Sequence, residues 1–169
     1  MLAACQTLLA RACAQRDIAL LMPVAARDDA AAEQVVGSLV NSVIVRAAVD
    51  ADADVEQQLP RAREALLDAL AQQALPYDEL VAELRRLDPG WVEPRAMFNV
   101  LNMELRAPQL HGLDAELLSL RSDAALFDLH FSANLASGEL SLSCAAELFS
   151  DAAAQSLLED YLTLLRRWQ

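Results

Sequence analysis

The run Val36-Gly37-Ser38-Leu39-Val40-Asn41-Ser42-Val43-Ile44-Val45-Arg46 decides how the rest of the chain is read. It begins as a turn and becomes a strand. Gly37 supplies backbone freedom where a side chain would restrict φ. From Val43 to Val49 the residues are almost all β-branched or small and apolar, the composition of a buried strand. Asn41 and Ser42 interrupt it at its entrance with an amide and a hydroxyl. Such a pair suits either a turn or a substrate contact, and the residues alone favour the turn, because both side chains bond readily to nearby backbone.

Upstream of this run, Leu2, Cys5, Leu8, Leu9 and Cys13 recur at helical spacing, so residues 2–14 read as a helix with both cysteines on its apolar face. Ile18 to Ala25 is an apolar run of strand length, covered on both faces. Arg27-Asp28-Asp29 closes it, and Ala30 to Val35 form a short helix. Downstream, Asp52 or Asp54 caps a long helix whose apolar stripe is Val55, Leu59, Ala62, Leu66, Ala69 and Leu70. Pro60 either kinks that helix or stands in its first turn. Pro76 breaks it, and a second helix turns Leu80, Val81 and Leu84 inward. Ala96 to Met103 and Leu113 to Leu120 read as strands, with a loop over Ala107 to Gly112. Leu126 to Leu135 and Glu139 to Ala146 alternate about a Ser137-Gly138 turn, a hairpin pattern. A last helix, capped by Ser150 or Asp151, presents Leu157, Leu158, Tyr161, Leu164, Leu165 and Trp168, with Arg166 and Arg167 at its negative end. Helices alternating with strands and followed by a hairpin predict one layered α/β domain over residues 1–169.

The chain of 169 residues is 55% apolar and 22% charged, which excludes disorder. Its net charge of −12 argues against a nucleic-acid surface, since binding phosphates needs clustered Lys and Arg. No apolar run is long enough to span a bilayer. Cys5, Cys13 and Cys144 have no metal or disulfide spacing and read as free thiols in a reducing cytoplasm. The acidic residues Asp50, Asp52 and Asp54 read as caps or a solvated face, and no metal site is expected there. His111 and His130 each stand alone, and neither is nominated as a catalyst.

The organising run resembles the (I/V)-G-x-F-V-N-T-x-x-x-R phrase of condensation domains from nonribosomal peptide synthetases. Val36, Gly37, Val40, Asn41 and Arg46 match it, while Leu39 replaces Phe and Ser42 replaces Thr. A second segment, Gln73 to Val81, is similar to the family's (H/N)-Q-D-Y-P-F-E-x-L-V. Gln73, Pro76, Leu80 and Val81 agree, and Tyr77 and Asp78 are conservative replacements. Pro23-Val24-Ala25-Ala26-Arg27 resembles the end of the family's G-x-P-x-A-x-R segment, and Phe127-Asp128-Leu129 is also a condensation-domain phrase.

The resemblance implies the C-terminal lobe of a chloramphenicol-acetyltransferase-like pair, a mixed sheet with packed helices. The family's H-H-x-x-x-D-G run belongs to the N-terminal lobe and is absent here, so no catalytic residue is assigned. Gly37, Asn41, Ser42 and Arg46 are expected near the tunnel between lobes, and the segment from Met103 to Leu120 is expected to cross to the other lobe. A complete domain would join an acyl or peptidyl thioester to an amine, both carried on phosphopantetheine arms. The implied partners are the N-terminal condensation lobe, peptidyl carrier protein domains and adjacent synthetase domains, with no nucleic acid and no membrane. The alternative is a catalytically empty scaffold or docking module that binds a carrier protein or a neighbouring domain.

Overall fold

The computed structural model describes residues 1–27, 30–102, 107–118 and 124–168. Ten elements follow in order: α1 (Leu2–Cys13), β1 (Asp17–Ala25), α2 (Ala30–Glu33), β2 (Val40–Ala48), α3 (Val55–Ala71), α4 (Tyr77–Leu87), β3 (Ala96–Leu101), β4 (Leu129–Asn134), β5 (Glu139–Cys144) and α5 (Asp151–Arg167). The strands form one mixed sheet in the order β2-β1-β3-β4-β5. β1 runs antiparallel to β2, β3 parallel to both β1 and β4, and β5 antiparallel to β4. This is the layered α/β architecture expected from the sequence.

The pleat sends alternate side chains to opposite faces. Ile18, Leu20 and Met22 point to the helical side with their register partners Ala47, Val45 and Val43. Phe98, Leu129 and Phe131 join them against Leu8 and Leu9 of α1 and Tyr161 and Leu164 of α5. α1 is buried throughout from Ala3 to Ala10, lying between the sheet and the outer helices. The Tyr161 ring meets Phe131 edge-on, with centroids 5.5 Å apart and planes at 67°. The opposite face carries Leu21 and Met97, which pair across β1 and β3 and are buried as well, at 3% and 9% exposure.

Several expectations need correction. β2 starts at Val40, so Asn41 and Ser42 lie within the strand rather than in a turn, and β2 is an edge strand with alternating exposure instead of a buried one. β1 is buried at Ile18, Leu20 and Leu21 but only half-buried from Met22 to Val24. Cys13 is exposed in the last turn of α1. α2 is only four residues long. Asp28 and Asp29 lie outside the described residues.

α3 begins at Val55 with Asp54 as its cap, whose Oδ1 accepts from Gln57 N at 3.1 Å. Pro60 therefore sits inside the helix. The buried residues are Gln58 and Ala62, while Leu59 is half exposed at 50%. The buried face of α3 is thus one residue out of phase with the apolar stripe at its start. The Gln58 amide lies buried and donates to Asp50 O, closing the polar turn that leads into α3. Residues 113–118 form no strand beyond a single bridge between Leu110 and Leu113, and 119–120 lie outside the described residues. β3 ends at Leu101, before Met103, which is also outside them. The hairpin of β4 and β5 and the Ser150-capped α5 are as the sequence predicts.

Candidate functional site

Alternation on the five strands places polar residues on the face opposite the helical core, to either side of Leu21 and Met97. β4 contributes His130, Ser132 and Asn134, whose register partners on β5 are Ser143, Ser141 and Glu139. β3 adds Asn99 beside Ser132. At the far edge β2 contributes Ser42, Ile44 and Arg46, across from Pro23, Leu21 and Ala19. The face thus has hydroxyl, amide and imidazole groups on β3, β4 and β5, an apolar middle at Leu21, Ile44 and Met97, and Ser42 and Arg46 along the β2 edge.

The expected site residues do not converge. Ser42 is half-buried on this face. Arg46 also lies on it, where its Nε donates to Asp17 Oδ1 at 2.8 Å. That hydrogen bond and the guanidinium charge hold the Asp17 carboxyl below the usual carboxylate range. Both side chains are more than half exposed, so the pair contributes little stability. Asn41 points to the helical side, one pleat from Ser42. Its Nδ2 donates to Gln73 O and Leu75 O, both at 2.8 Å, and its Oδ1 accepts from Tyr77 N at 3.0 Å. Gly37 precedes β2 with φ 159°, at the border of extended backbone, and no atom lies within 4 Å of where its Cβ would stand.

β1 and β3 share only one register pair, Leu21 with Met97. By the N-terminal ends of β1 and β3 lies a cleft of about 250 Å³, lined by Asp17, Ala19, Arg95, Ala96, Asp128 and Leu129 together with Leu9 and Cys13 of α1, Gln15 and Phe149. Arg95 Nη2 donates to Asp128 Oδ1 at 2.7 Å across its mouth, which holds that carboxyl below its ordinary range.

His130 sits beside a second cavity of about 340 Å³ that Ser143 and Phe127 also line. Its Nε2 is buried without a hydrogen-bond partner, and burial lowers its pKa, so the ring is neutral near pH 7. Phe127 meets it edge-on at 6.1 Å. His111 lies in an exposed turn. Among the described residues no group of His, Cys, Asp and Glu is placed to hold a metal ion.

Sequence reasoning missed the direction of the Asn41 side chain, the cleft between β1 and β3, and the buried Gln58. Strand periodicity carried the first signal: in a strand, Asn41 and Ser42 must face opposite ways. Nothing in the sequence marks the cleft, because its lining comes from segments far apart in the chain.

Residues 1–168 match the Condensation domain family. The chain is 32% identical over 133 residues to malpibaldin synthetase of Mortierella alpina, an alignment that covers 76% of this chain and 2% of that protein. It superposes on the X-domain from teicoplanin biosynthesis with a TM-score of 0.81 at 24% identity, covering 98% of this chain and 39% of the other. An X-domain from the same biosynthesis has also been solved as a complex with OxyB. The first condensation domain of the calcium-dependent antibiotic synthetase, bound to a substrate analogue, superposes with a TM-score of 0.73 at 20% identity, over 96% of this chain and 36% of that one. The chain thus spans well under half of the solved domains and a small fraction of the synthetase it resembles. On the family match and the shared fold, the chain belongs to the condensation domains of nonribosomal peptide synthetases.

Proposed function

We propose that this chain is the C-terminal half of a condensation domain, working with an N-terminal lobe that supplies the proton-transferring histidine. The complete domain joins a carrier-borne acyl or peptidyl thioester to an amine, with both substrates on phosphopantetheine arms. The observation that carries this reading is the polar lining of the sheet face opposite the helical core. An apolar helical layer backs it, while Ser42, Asn99, His130, Ser132 and Ser141 line it with neutral hydrogen-bonding groups. A lobe closing over that face would enclose a channel able to pass an uncharged thioester chain and reject bulk water.

In this reading Ser42 and Arg46 line the channel from β2, and Gly37 lies in the loop that enters it. Asn41 acts from behind the sheet. Residues 107–118, which form neither helix nor extended strand, are suited to reach toward the other lobe. No helix among the described residues is long and apolar enough to cross a membrane.

The test is reconstitution. With loaded donor and acceptor carrier proteins, the chain alone should form no amide above background, because its sequence lacks the H-H-x-x-x-D-G histidine pair that would move the proton. Adding a separately expressed N-terminal lobe bearing H-H-x-x-x-D-G should restore turnover. Amide formation by the chain alone would refute the division of labour.

The second reading, a docking module without chemistry, draws on the X-domain solved in complex with OxyB. It predicts that the reconstituted pair stays inactive while a neighbouring protein binds the lobe directly.

A further inference from the structure

Helix α4 lacks an N-cap of its own. The residue at that position is Pro76, whose side chain makes no capping bond. The first amides of a helix need a partner, and Ser, Thr, Asp or Asn normally supplies it from the adjacent position. Here the acceptor comes from another element: Asn41 Oδ1 of β2 takes the Tyr77 N–H at 3.0 Å. The same amide turns its two hydrogens on Gln73 O and Leu75 O, the carbonyls of the link that leaves α3. One side chain therefore closes the end of α3 and opens α4. The two stretches with family wording, residues 36–46 and 73–81, meet at this one group.

The chain of contacts continues past α4. Tyr77 Oη donates to Glu93 Oε1 at 2.7 Å, and Arg85 Nη2, two turns along the same helix, donates to Glu93 Oε2 at 2.8 Å. Glu93 is thus held from both ends of α4. It lies two residues before Arg95, whose guanidinium bonds Asp128 on the rim of the cleft between β1 and β3. On the sheet itself, α4 packs against β2. Next to Asn41, Ser42 looks onto the opposite face.

We infer that Asn41 is a positioning residue: it caps α4 from the strand, and through Tyr77, Arg85 and Glu93 it fixes the segment that carries Arg95 into β3, setting the width of the cleft and the place of Ser42 without touching a substrate. This rests on the condensation reading only for what the cleft is used for. The mechanical link stands on its own.

Hydrogen exchange on the chain as it stands tests the link and requires no condensation activity, so its failure is separable from that of the function. In Asn41→Ala the amides of Tyr77 and Leu80, the two bonded in the first turn, should exchange at least about tenfold faster, the effect of removing a cap worth about 1.4 kcal/mol. Those of Ala96 to Phe98 should accelerate as well, while Phe131, Ala133, Tyr161 and Leu164 stay as in the parent. Tyr77→Phe breaks only the step to Glu93, so it should accelerate Ala96 to Phe98 and spare the amides of residue 77 and Leu80. Asn41→Asp keeps the acceptor for Tyr77 N but sets a carboxylate against two carbonyls. Its protection at Gln73 to Leu75 should recover as pH falls and the protonated carboxyl donates again. In the reconstituted domain Asn41→Ala should raise KM for the carrier-borne substrate severalfold with kcat within about twofold, the signature of lost uniform binding. The inference is overturned if acceleration stops at Leu80, if the whole core accelerates together, or if kcat collapses while KM is unchanged.

Discussion

Replacing Phe131 by alanine should detach α5 from the sheet more than any single change on the opposite face. Phe131 is 1% exposed, and so is Tyr161, whose ring stands edge-on to it at 5.5 Å. The two rings join the centre of β4 to the middle of α5, and the core around them includes Leu8, Leu20, Phe98 and Leu164. A buried Phe→Ala change removes apolar contact and leaves a cavity, at a cost of about 3–5 kcal/mol. For a domain of this size each kcal/mol lowers Tm by roughly 2–4 °C, so the melt should drop by roughly 6–20 °C. Phe131→Leu keeps most of the volume and should cost less than about 1.5 kcal/mol. Tyr161→Phe removes only the hydroxyl, which donates to Met1 O at 3.2 Å, and should cost about 0.5–1.5 kcal/mol. Met1 O also accepts from Cys5 N, which favours the low end. A cycle of Phe131→Leu, Tyr161→Leu and the double variant should return a coupling of about 0.5–1.5 kcal/mol from the ring geometry. Urea melts of the set decide the matter. A Phe131→Ala cost below about 1.5 kcal/mol would mean that the layer collapses to fill the gap and that this joint does not hold α5.

His130 should make the fold acid-sensitive. Burial holds its folded pKa below the unfolded value, so as pH falls through the unfolded value of about 6.5 the unfolded chain binds more protons and stability declines. In urea melts from pH 5 to 8, His130→Leu should flatten that decline. An unchanged slope would show that the ring is solvated. Asp54→Ala removes the cap of α3, seen in the bond from Gln57 N, and should cost about 1 kcal/mol by thermal melt, with Asp54→Ser close to the parent. Equal stability of all three would mean that α3 is held by packing alone.

Local rules are legible wherever one residue type answers one local demand. Ser150 before a periodic apolar stripe gives α5 its start, and two short alternating strands about Ser137-Gly138 give the hairpin. Legibility fails where a residue answers a demand made by a distant segment. Gln58 lies off the apolar stripe of α3, yet its amide is buried and bonds the Asp50 carbonyl, which also accepts from Ala53 N. Val43 to Val49 reads as a buried strand because composition cannot tell an edge strand backed by α3 from a central one. Asn41 is the clearest case. Its local reading as a turn residue is chemically right about the amide, which does bond backbone, and wrong about which backbone, since its partners lie 32 to 36 residues away. The family wording conveys that Asn41 matters. Only the pleat, which turns Asn41 toward α4 and Ser42 away from it, conveys how. β2 serves the helical layer with Asn41 and the opposite face of the sheet with Ser42.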